Sequence, residues 1–511
     1  MRRLPIVMSA VAALCAASAA EADIVRSSMR ESIWTVNATR FMYPPRLAFP
    51  AHVGATNATC GVEGADGSRH VLAVRDGVVD LASAWESLPV GRVQMTVKSD
   101  KGESKRFFWK KAMFREGAYG KARCGYGESA AKCFRYLMDM PALRYLAEKG
   151  EPDPDYELNC YPSKMMSAVA RGFARHAEKC PQDAERALRV AKSAADWLIS
   201  ASGKDGSALP GIPPTYMGDR LTAKANAGLV MTSYPCAAAS AYITLGRRTG
   251  EAKYIAAAKR IAEVYLRLQG ADGTWPLVLR VSDGSPAAPN RLLPTTAVEM
   301  FETLFAETRD RRYREAADRA FGYFERGPMA DWNWEGQFED VRPSPAKYHN
   351  LTKHDACSAA IYALARFPGD ARWIAFARDA ARFAEDQFVD WEAPYGGADY
   401  PPVWGEYGDR RWMQKFSEWR CPAAVEQYEC YVPVDASAAK IIRTFLALYR
   451  ATGEASYLKK ARALGDEATL VQREDGSYPT WWRPDSPYHA DWLNCMIATA
   501  EAMELLAETK D

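Results

Sequence analysis

Two hydrophobic patterns divide the chain. Between about residues 24 and 115, apolar and polar residues alternate. Arg92-Val93-Gln94-Met95-Thr96-Val97-Lys98 has the two-residue period of a half-buried strand. Val71-Leu72-Ala73-Val74 and Phe107-Phe108-Trp109 are further strand candidates, with Asp76-Gly77, Pro89-Val90-Gly91 and Asp100-Lys101-Gly102 as the turns between them. The pattern predicts a small β-sandwich-like domain over residues 23–115.

From about residue 120 the period becomes helical and the pattern repeats. Six segments rich in small residues open near a Pro, Asn or Asp: Tyr161-Pro162, Tyr234-Pro235, Leu293-Pro294, His354-Asp355, Val434-Asp435 and Asp491-Trp492. Pro suits a helix's first turn and Asp or Asn suits its cap. Successive openings are 73, 59, 61, 80 and 57 residues apart, room for two helices and their connections. An amphipathic helix follows most of them. Thr249-Gly250-Glu251-Ala252-Lys253-Tyr254 and Thr452-Gly453-Glu454-Ala455-Ser456-Tyr457 open two of these in nearly the same words. In the first, Tyr254, Ala257, Ala258, Ile261, Tyr265 and Leu268 share one face. The expected packing is an inner ring of small-residue helices inside an outer ring, over residues 116–511. The stretch from Ser129 to Glu148 is the candidate for the remaining outer helix.

Connections within a pair are short. Those leading to the next inner helix are long and rich in Gly, Pro and aromatics, so long loops collect at one end of the ring, where function concentrates. Three carry a related phrase: Asp205-Gly206-Ser207, Asp272-Gly273-Thr274-Trp275-Pro276 and Asp475-Gly476-Ser477-Tyr478-Pro479. A structural turn explains each of these on its own.

Residues 1–22 read as a secretory signal: Arg2 and Arg3, an apolar run from Leu4 to Ala17, then small residues. That run is too short to span a bilayer comfortably. Export to the periplasm or beyond follows, and with it an environment that permits disulfides; Cys124 with Cys133 and Cys421 with Cys430 are the nearest pairs. No Cys-x-x-Cys pair is present, so a zinc site of that type is not expected. Carboxylate-rich loops can hold a structural calcium, but no calcium-loop pattern occurs. No cofactor is implied. The net charge of +2 offers no broad basic field for a nucleic acid.

Paired inner and outer helices at this period, with Asp-Gly-Ser/Thr-aromatic-Pro loops on one face, resemble the (α/α) toroid of polysaccharide lyases and six-hairpin glycosidases. The resemblance covers about residues 120–511. It implies a mainly α, (α/α)6-type toroid and a polysaccharide or oligosaccharide partner. Related toroids include sugar epimerases and terpene cyclases, which export disfavours.

The densest polar loop runs from Asp331 through Trp332, Trp334, Glu335, Gln337, Glu339 and Asp340 to Tyr348, His349, Asn350, Lys353 and His354. Next in the ring come Glu418-Trp419-Arg420 with Glu426-Gln427-Tyr428 and Tyr431, then Trp482-Arg483 with His489. Tyr161 and Lys164 stand at the first inner helix. Trp275, Trp332, Trp334 and Trp482 are candidates for stacking on sugar faces; Gln337, Tyr348, Tyr161, Lys164 and His489 are candidates for orienting hydroxyls.

Two reactions compete for these residues. A lyase acting on a uronic-acid polymer removes the proton beside a carboxylate, stabilises the resulting charge, and protonates the leaving oxygen. Toroid alginate and glucuronan lyases use an Asn/His set, an Arg and a Tyr soon after it. His349, Asn350, Arg420 and Tyr428 resemble that set in type and approximate order, with a different Arg-to-Tyr interval; Tyr431 or Tyr348 could carry the proton instead. Glu335 and His354 complete the expected catalytic group. Arg342, Lys353, Arg420 and Arg483 would suit an anionic glycan. A glycosidase instead needs two carboxylates, for which Glu335, Glu339, Asp340, Glu426 and Asp435 are candidates. The residue types favour the lyase. A surface protein that binds glycans without cleaving them is the third reading.

Overall fold

The computed structural model describes residues 26–27, 34–35, 40–48, 58–100, 102–340, 351–393, 420–427, 430–482 and 492–510. The signal lies outside them. The chain forms two compact units that meet in sequence between Met113 and Phe114.

The N-terminal unit is built on strands β1 (Arg40–Phe41), β2 (Arg46–Ala48), β3 (Thr59–Glu63), β4 (Arg69–Arg75), β5 (Val78–Asp80), β6 (Gly91–Ser99) and β7 (Gly102–Lys110). They link side by side in the order β1-β7-β6-β3-β4-β5-β2, one connected seven-stranded sheet. All neighbours are antiparallel except β1 and β7. The alternation seen in the sequence sets the inner face. Val93, Met95 and Val97 of β6 are buried while Arg92 and Lys98 are exposed. Trp85 stacks on Phe108 beneath this face, and its indole N–H donates to the Met42 carbonyl at 3.1 Å.

The second unit is the ring of hairpins. Its inner helices are α2 (Pro162–Lys179), α4 (Ser233–Thr249), α6 (Thr295–Thr308), α8 (His354–Arg366), α10 (Asp435–Thr452) and α12 (Leu493–Glu508). Each packs on an outer partner: α3 (Ala184–Ala201), α5 (Ala252–Leu268), α7 (Arg311–Arg326), α9 (Ala371–Phe388), α11 (Ala455–Val471), and for α12 the early helix α1 (Tyr126–Asp139). Inner helices touch in sequence order, and α12 returns to α2, so the ring closes. Every segment marked in the sequence as an inner opening begins one of these helices.

Local chemistry explains the repetition. At the two Thr-Gly-Glu turns, Gly250 and Gly453 take left-handed backbone and cap α4 and α10. The Thr249 and Thr452 hydroxyls then accept from the backbone N–H of Glu251 and Glu454 at 3.3 and 3.2 Å. Asp310 and Asp370 start α7 and α9 by accepting from the N–H two residues on. Outer helix α5 buries Tyr254, Ala258, Ile261, Ala262 and Tyr265 toward its partner.

The Asp-Gly phrases are structural turns. Gly273 and Gly476 have φ of +92° and +94°. A Cβ at Gly273 would lie 2.2 Å from the Arg319 carbonyl oxygen of α7, and one at Gly476 would lie 2.7 Å from that of Lys132 on α1. The phrase thus seats the second and third of these loops against the next outer helix, whereas a Cβ at Gly206 of the first meets nothing within 4 Å. The aromatic that follows, Trp275 or Tyr478, drops into the core.

Candidate functional site

The first five inner helices run the same way because each is followed by a short turn and an outer helix; α12 closes the ring against α1 and α2. Their first turns therefore share one rim, and the long loops enter there. Two groups of polar side chains are built at that rim.

The first surrounds Glu339, which is 4% exposed. Lys164 Nζ, from the first turn of α2, donates to Glu339 Oε1 at 2.5 Å. The Tyr234 hydroxyl, from the first turn of α4, donates to Glu339 Oε2. Tyr216 donates to the Glu339 carbonyl at 3.1 Å and packs edge-on against Tyr161, whose ring lies 5.8 Å from the Arg220 guanidinium. Burial pushes the Glu339 carboxyl up, but the Lys164 charge and the two donated hydrogen bonds win and hold it below its usual range. The next residue goes the other way. Asp340 keeps a solvent-exposed side yet is crowded by protein on the rest. Burial and the Glu339 charge beside it raise its carboxyl above the ordinary value, against Lys164 and Arg220. Burial likewise raises the Tyr161 phenol to about 12, so it remains a donor at neutral pH.

The second group joins α8 to α10. His354 Nε2 lies 2.7 Å from Glu426 Oε1. Lys353, wholly buried, donates to the Val425 and Glu426 carbonyls and to the Ser437 hydroxyl at 2.6–2.8 Å. Ser437 in turn donates to Glu426 Oε2. Burial opposes the Glu426 charge, but Lys353, His354 and the Ser437 hydroxyl hold it well below the usual carboxylate range. For His354, burial and the Lys353 charge outweigh Glu426 and push the imidazole down to about 4, so the ring is neutral near pH 7. Behind it, Asp355 accepts from the Thr295 hydroxyl, and burial lifts its carboxyl to about 6.

The two groups belong to one site. The Phe338 ring, next to Glu339, meets the His354 ring edge-on at 5.9 Å. Cys495, in the first turn of α12, lies within the electrostatic reach of Lys164, Glu339, Glu426 and Asp435 together.

The sequence expectations divide against this geometry. Tyr161, Lys164 and His354 are brought to the site, with Glu339, Asp340 and Glu426 from the carboxylate alternative. His349, Asn350, Tyr348, Tyr428, His489, Arg342 and Arg483 lie outside the described residues. The described flanks of the two expected segments do meet: Thr352 bridges Gln427 on strand β8 (Ala423–Gln427). Tyr431 lies on strand β9 (Cys430–Pro433), its side chain outside the described residues. Glu335 pairs through its backbone with Leu351 at the start of this connection.

Several candidates are corrected. Trp275, Trp334 and Trp482 are at most 1% exposed and Trp332 is 8% exposed. They are core side chains with no ring face open to a sugar; Trp275, for example, donates from its indole to the Tyr265 carbonyl. Trp275→Ala is expected to lower stability by about 3–5 kcal/mol, the cost of emptying a buried aromatic site. Denaturant unfolding checks it, and an unchanged midpoint would restore the sugar-stacking role. Gln337 holds loops together, accepting from the Leu293 N–H and donating to the Arg291 carbonyl. The Arg420 guanidinium donates from Nε to Glu467 of outer helix α11 at 2.8 Å while its side chain stays 44% exposed, whereas Lys353 is spent internally and is not presented to an anionic glycan. Asp435 is fully buried and accepts from the N–H of Ala436 at the start of its own helix. Cys124 and Cys133 are separate thiols, as is Cys421. Sequence reasoning missed Tyr216, Tyr234 and Ser437. Tyr234 and Ser437 were visible as residues of inner-helix openings; Tyr216, on a loop without a repeat, gave no signal.

One consequence concerns pH. His354 titrates near 4 when folded and near the ordinary 6.5 when unfolded. The unfolded chain therefore binds more protons between these values, and stability falls as pH drops through that window. His354→Gln is expected to flatten this part of the stability–pH curve. Equal slopes in the two proteins would show that the ring does not titrate as described.

No family model matches this sequence, and no curated protein matches it. Solved structures do. A D-mannose isomerase aligns at a TM-score of 0.50 and 12% identity, covering 75% of this chain and 96% of that one. A family 76 glycoside hydrolase from a bovine Bacteroides thetaiotaomicron strain covers 92% of this chain and 97% of its own at 10% identity and a TM-score of 0.49. Cellobiose 2-epimerase from Spirochaeta thermophila aligns at 16% identity and 0.46, over 75% and 97% of the two chains. Among the described residues no helix is long and apolar enough to cross a membrane. The chain has the (α/α) toroid fold shared by the six-hairpin glycosidase-like enzymes.

Proposed function

We propose that the protein is an exported glycan-processing enzyme that cleaves glycosidic bonds by hydrolysis at the N-terminal rim of its inner helices. One observation carries this reading: the rim holds carboxyl groups whose environments drive them in opposite directions. Asp340 is raised and open to solvent, as a general acid must be; Glu426, paired with a neutral His354, is held ionised, as a base requires. Glu339 serves as a positioning residue, because its charge raises the Asp340 carboxyl and Lys164 keeps that charge in place. Support from the neighbours is of the coarse kind: the solved structures with this fold are carbohydrate-active enzymes.

A second reading keeps the lyase. A His354 ring neutral down to about 4 is competent to remove a proton beside a uronate carboxylate. His349, Asn350 and Tyr428 would then complete the reaction. A screen of acidic and neutral polysaccharides separates the readings. Hydrolysis releases reducing ends with no new ultraviolet absorbance. Elimination releases both, because its product is unsaturated. Saturable binding without new ends would overturn both in favour of a glycan-binding protein.

A further inference from the structure

A second constellation lies at the other end of α2. His176 is in the last turn of that helix, Cys180 follows it, and Asp183 closes the short turn Pro181–Asp183. The ligating atoms of these three residues all lie within 4.8 Å of one another. Counting along the helix from Lys164, His176 is about 18 Å from the candidate active site, so this group takes no part in it.

His176 is completely buried, and both of its ring nitrogens face carboxylates. Nδ1 is 3.3 Å from Glu504 Oε1 on α12, and Nε2 is 3.2 Å from Asp183 Oδ2. A neutral imidazole has one N–H, so it can satisfy one of these oxygens; the other faces a lone pair. A buried cation resolves the conflict. A proton on the ring is one such cation, and a metal ion bound at Nε2 is the other. Three features favour the metal. The Cys180 thiol lies within 4.8 Å of an imidazole nitrogen and of the Asp183 carboxylate, where an imidazolium has no use for it. The pairing of Nδ1–H with Glu504 is the carboxylate–histidine arrangement that fixes a ligating tautomer. The ring is also clamped, stacked on Phe134 at 4.2 Å, while Arg135 orients Asp183 from outside at 3.1 Å.

We propose that His176 Nε2, Cys180 Sγ and Asp183 form a structural site for a borderline-soft divalent metal of the zinc class, with Glu504 behind the histidine. Ligand atoms around tetrahedral zinc sit about 3.3–3.8 Å apart, given bonds of about 2.0–2.3 Å. The observed cluster reaches that spacing with side-chain shifts of about an ångström. Water would take the fourth position. The ion would fasten the last turn of α2 to the turn that leads into α3, beside the contacts of α1 and α12, which is the seam where the first and last inner helices close the ring. This differs from the zinc pattern excluded at the outset, which required a Cys-x-x-Cys pair.

The test uses the full-length chain, stripped with a chelator and titrated with Co(II) and then Zn(II). Occupation gives one equivalent of Co(II) with an intense near-ultraviolet thiolate-to-cobalt charge-transfer band, bleached by one equivalent of Zn(II). Cys180→Ser, a change at a half-buried position that the fold should tolerate, removes the band and weakens Zn(II) binding at least tenfold. Zinc raises the melting temperature of the stripped parent and has a smaller effect on the variant. Failure to take up either ion leaves only the His176–carboxylate ion triad and overturns the proposal. So does a Cys180→Ser protein that binds both ions as the parent does, since the ions would then sit elsewhere.

Discussion

Asp340→Asn is expected to reduce turnover by about 10²–10⁴-fold, the usual contribution of a positioned general acid, with little change in melting temperature. The substitution keeps the shape of the side chain and removes only the titrating proton. Asp340 is suited to the role because two opposing demands meet in it. Its carboxyl must lie above the ordinary range, which burial and the adjacent Glu339 charge favour. It must also reach substrate, which its exposed side allows. Its neighbour meets neither demand: Lys164 and Tyr234 hold the Glu339 carboxyl below its usual range and seal it in, so it cannot itself touch a sugar. The measurement is kcat on whichever glycan the screen yields, with the alkaline limb of the pH profile, where a general acid is lost by deprotonation. Turnover within tenfold of the parent would remove Asp340 from the chemistry and shift weight to the His354–Glu426 pair.

What the sequence made legible was whatever repeats. Six inner openings at steps of roughly one hairpin, and outer helices with one apolar face, were enough for the architecture, because each hairpin solves the same packing problem. The Asp-Gly phrases repeat for the same reason, and two of them seat loops on helices. The site was legible only in part because its decisive features are pairings across the ring. Lys164 and Glu339 are 175 residues apart, and Glu339 and Tyr234 are 105 apart. Nothing local marks Glu339 as sealed and Asp340 as open; the difference arises from which neighbour each side chain meets. Tryptophans misled for a related reason. A loop rich in indoles has the composition of a sugar platform, but Trp332 packs on Phe376 and Phe383 of α9, and Trp334 is fully enclosed. Composition reports the presence of aromatic surface and says nothing of which way it faces. Sequence likewise gave no sign that Arg420, still 44% exposed, pairs through its Nε with the buried Glu467.

Lys164→Met is the substitution expected to damage the fold most among the site residues, by about 3–5 kcal/mol. Met keeps the apolar stem and volume of Lys164 and removes the ammonium. Glu339 would then be a buried carboxylate with Tyr234 as its remaining side-chain donor, and the cost is the penalty of leaving that charge unpaired. It should exceed what the ion pair contributes when intact, because much of the Coulomb gain is offset by desolvating both ions. The argument therefore predicts strong non-additivity. Glu339→Gln alone strands the ammonium and is also costly, whereas the double substitution, leaving an amide facing a thioether, is expected to recover most of the loss. Urea unfolding of the four proteins gives the coupling energy directly. Function should separate from stability in the same cycle: with no charge at position 339, Asp340 loses one of the two causes of its raised carboxyl. The double variant also removes the opposing Lys164 charge, but the Glu339 effect on Asp340 is the larger, so it should be folded yet show its alkaline limb moved to lower pH. Additive stabilities would mean that Lys164 and Glu339 do not act as a pair. An unmoved alkaline limb in an active, folded double variant would mean that the Glu339 charge does not outweigh Lys164 at Asp340.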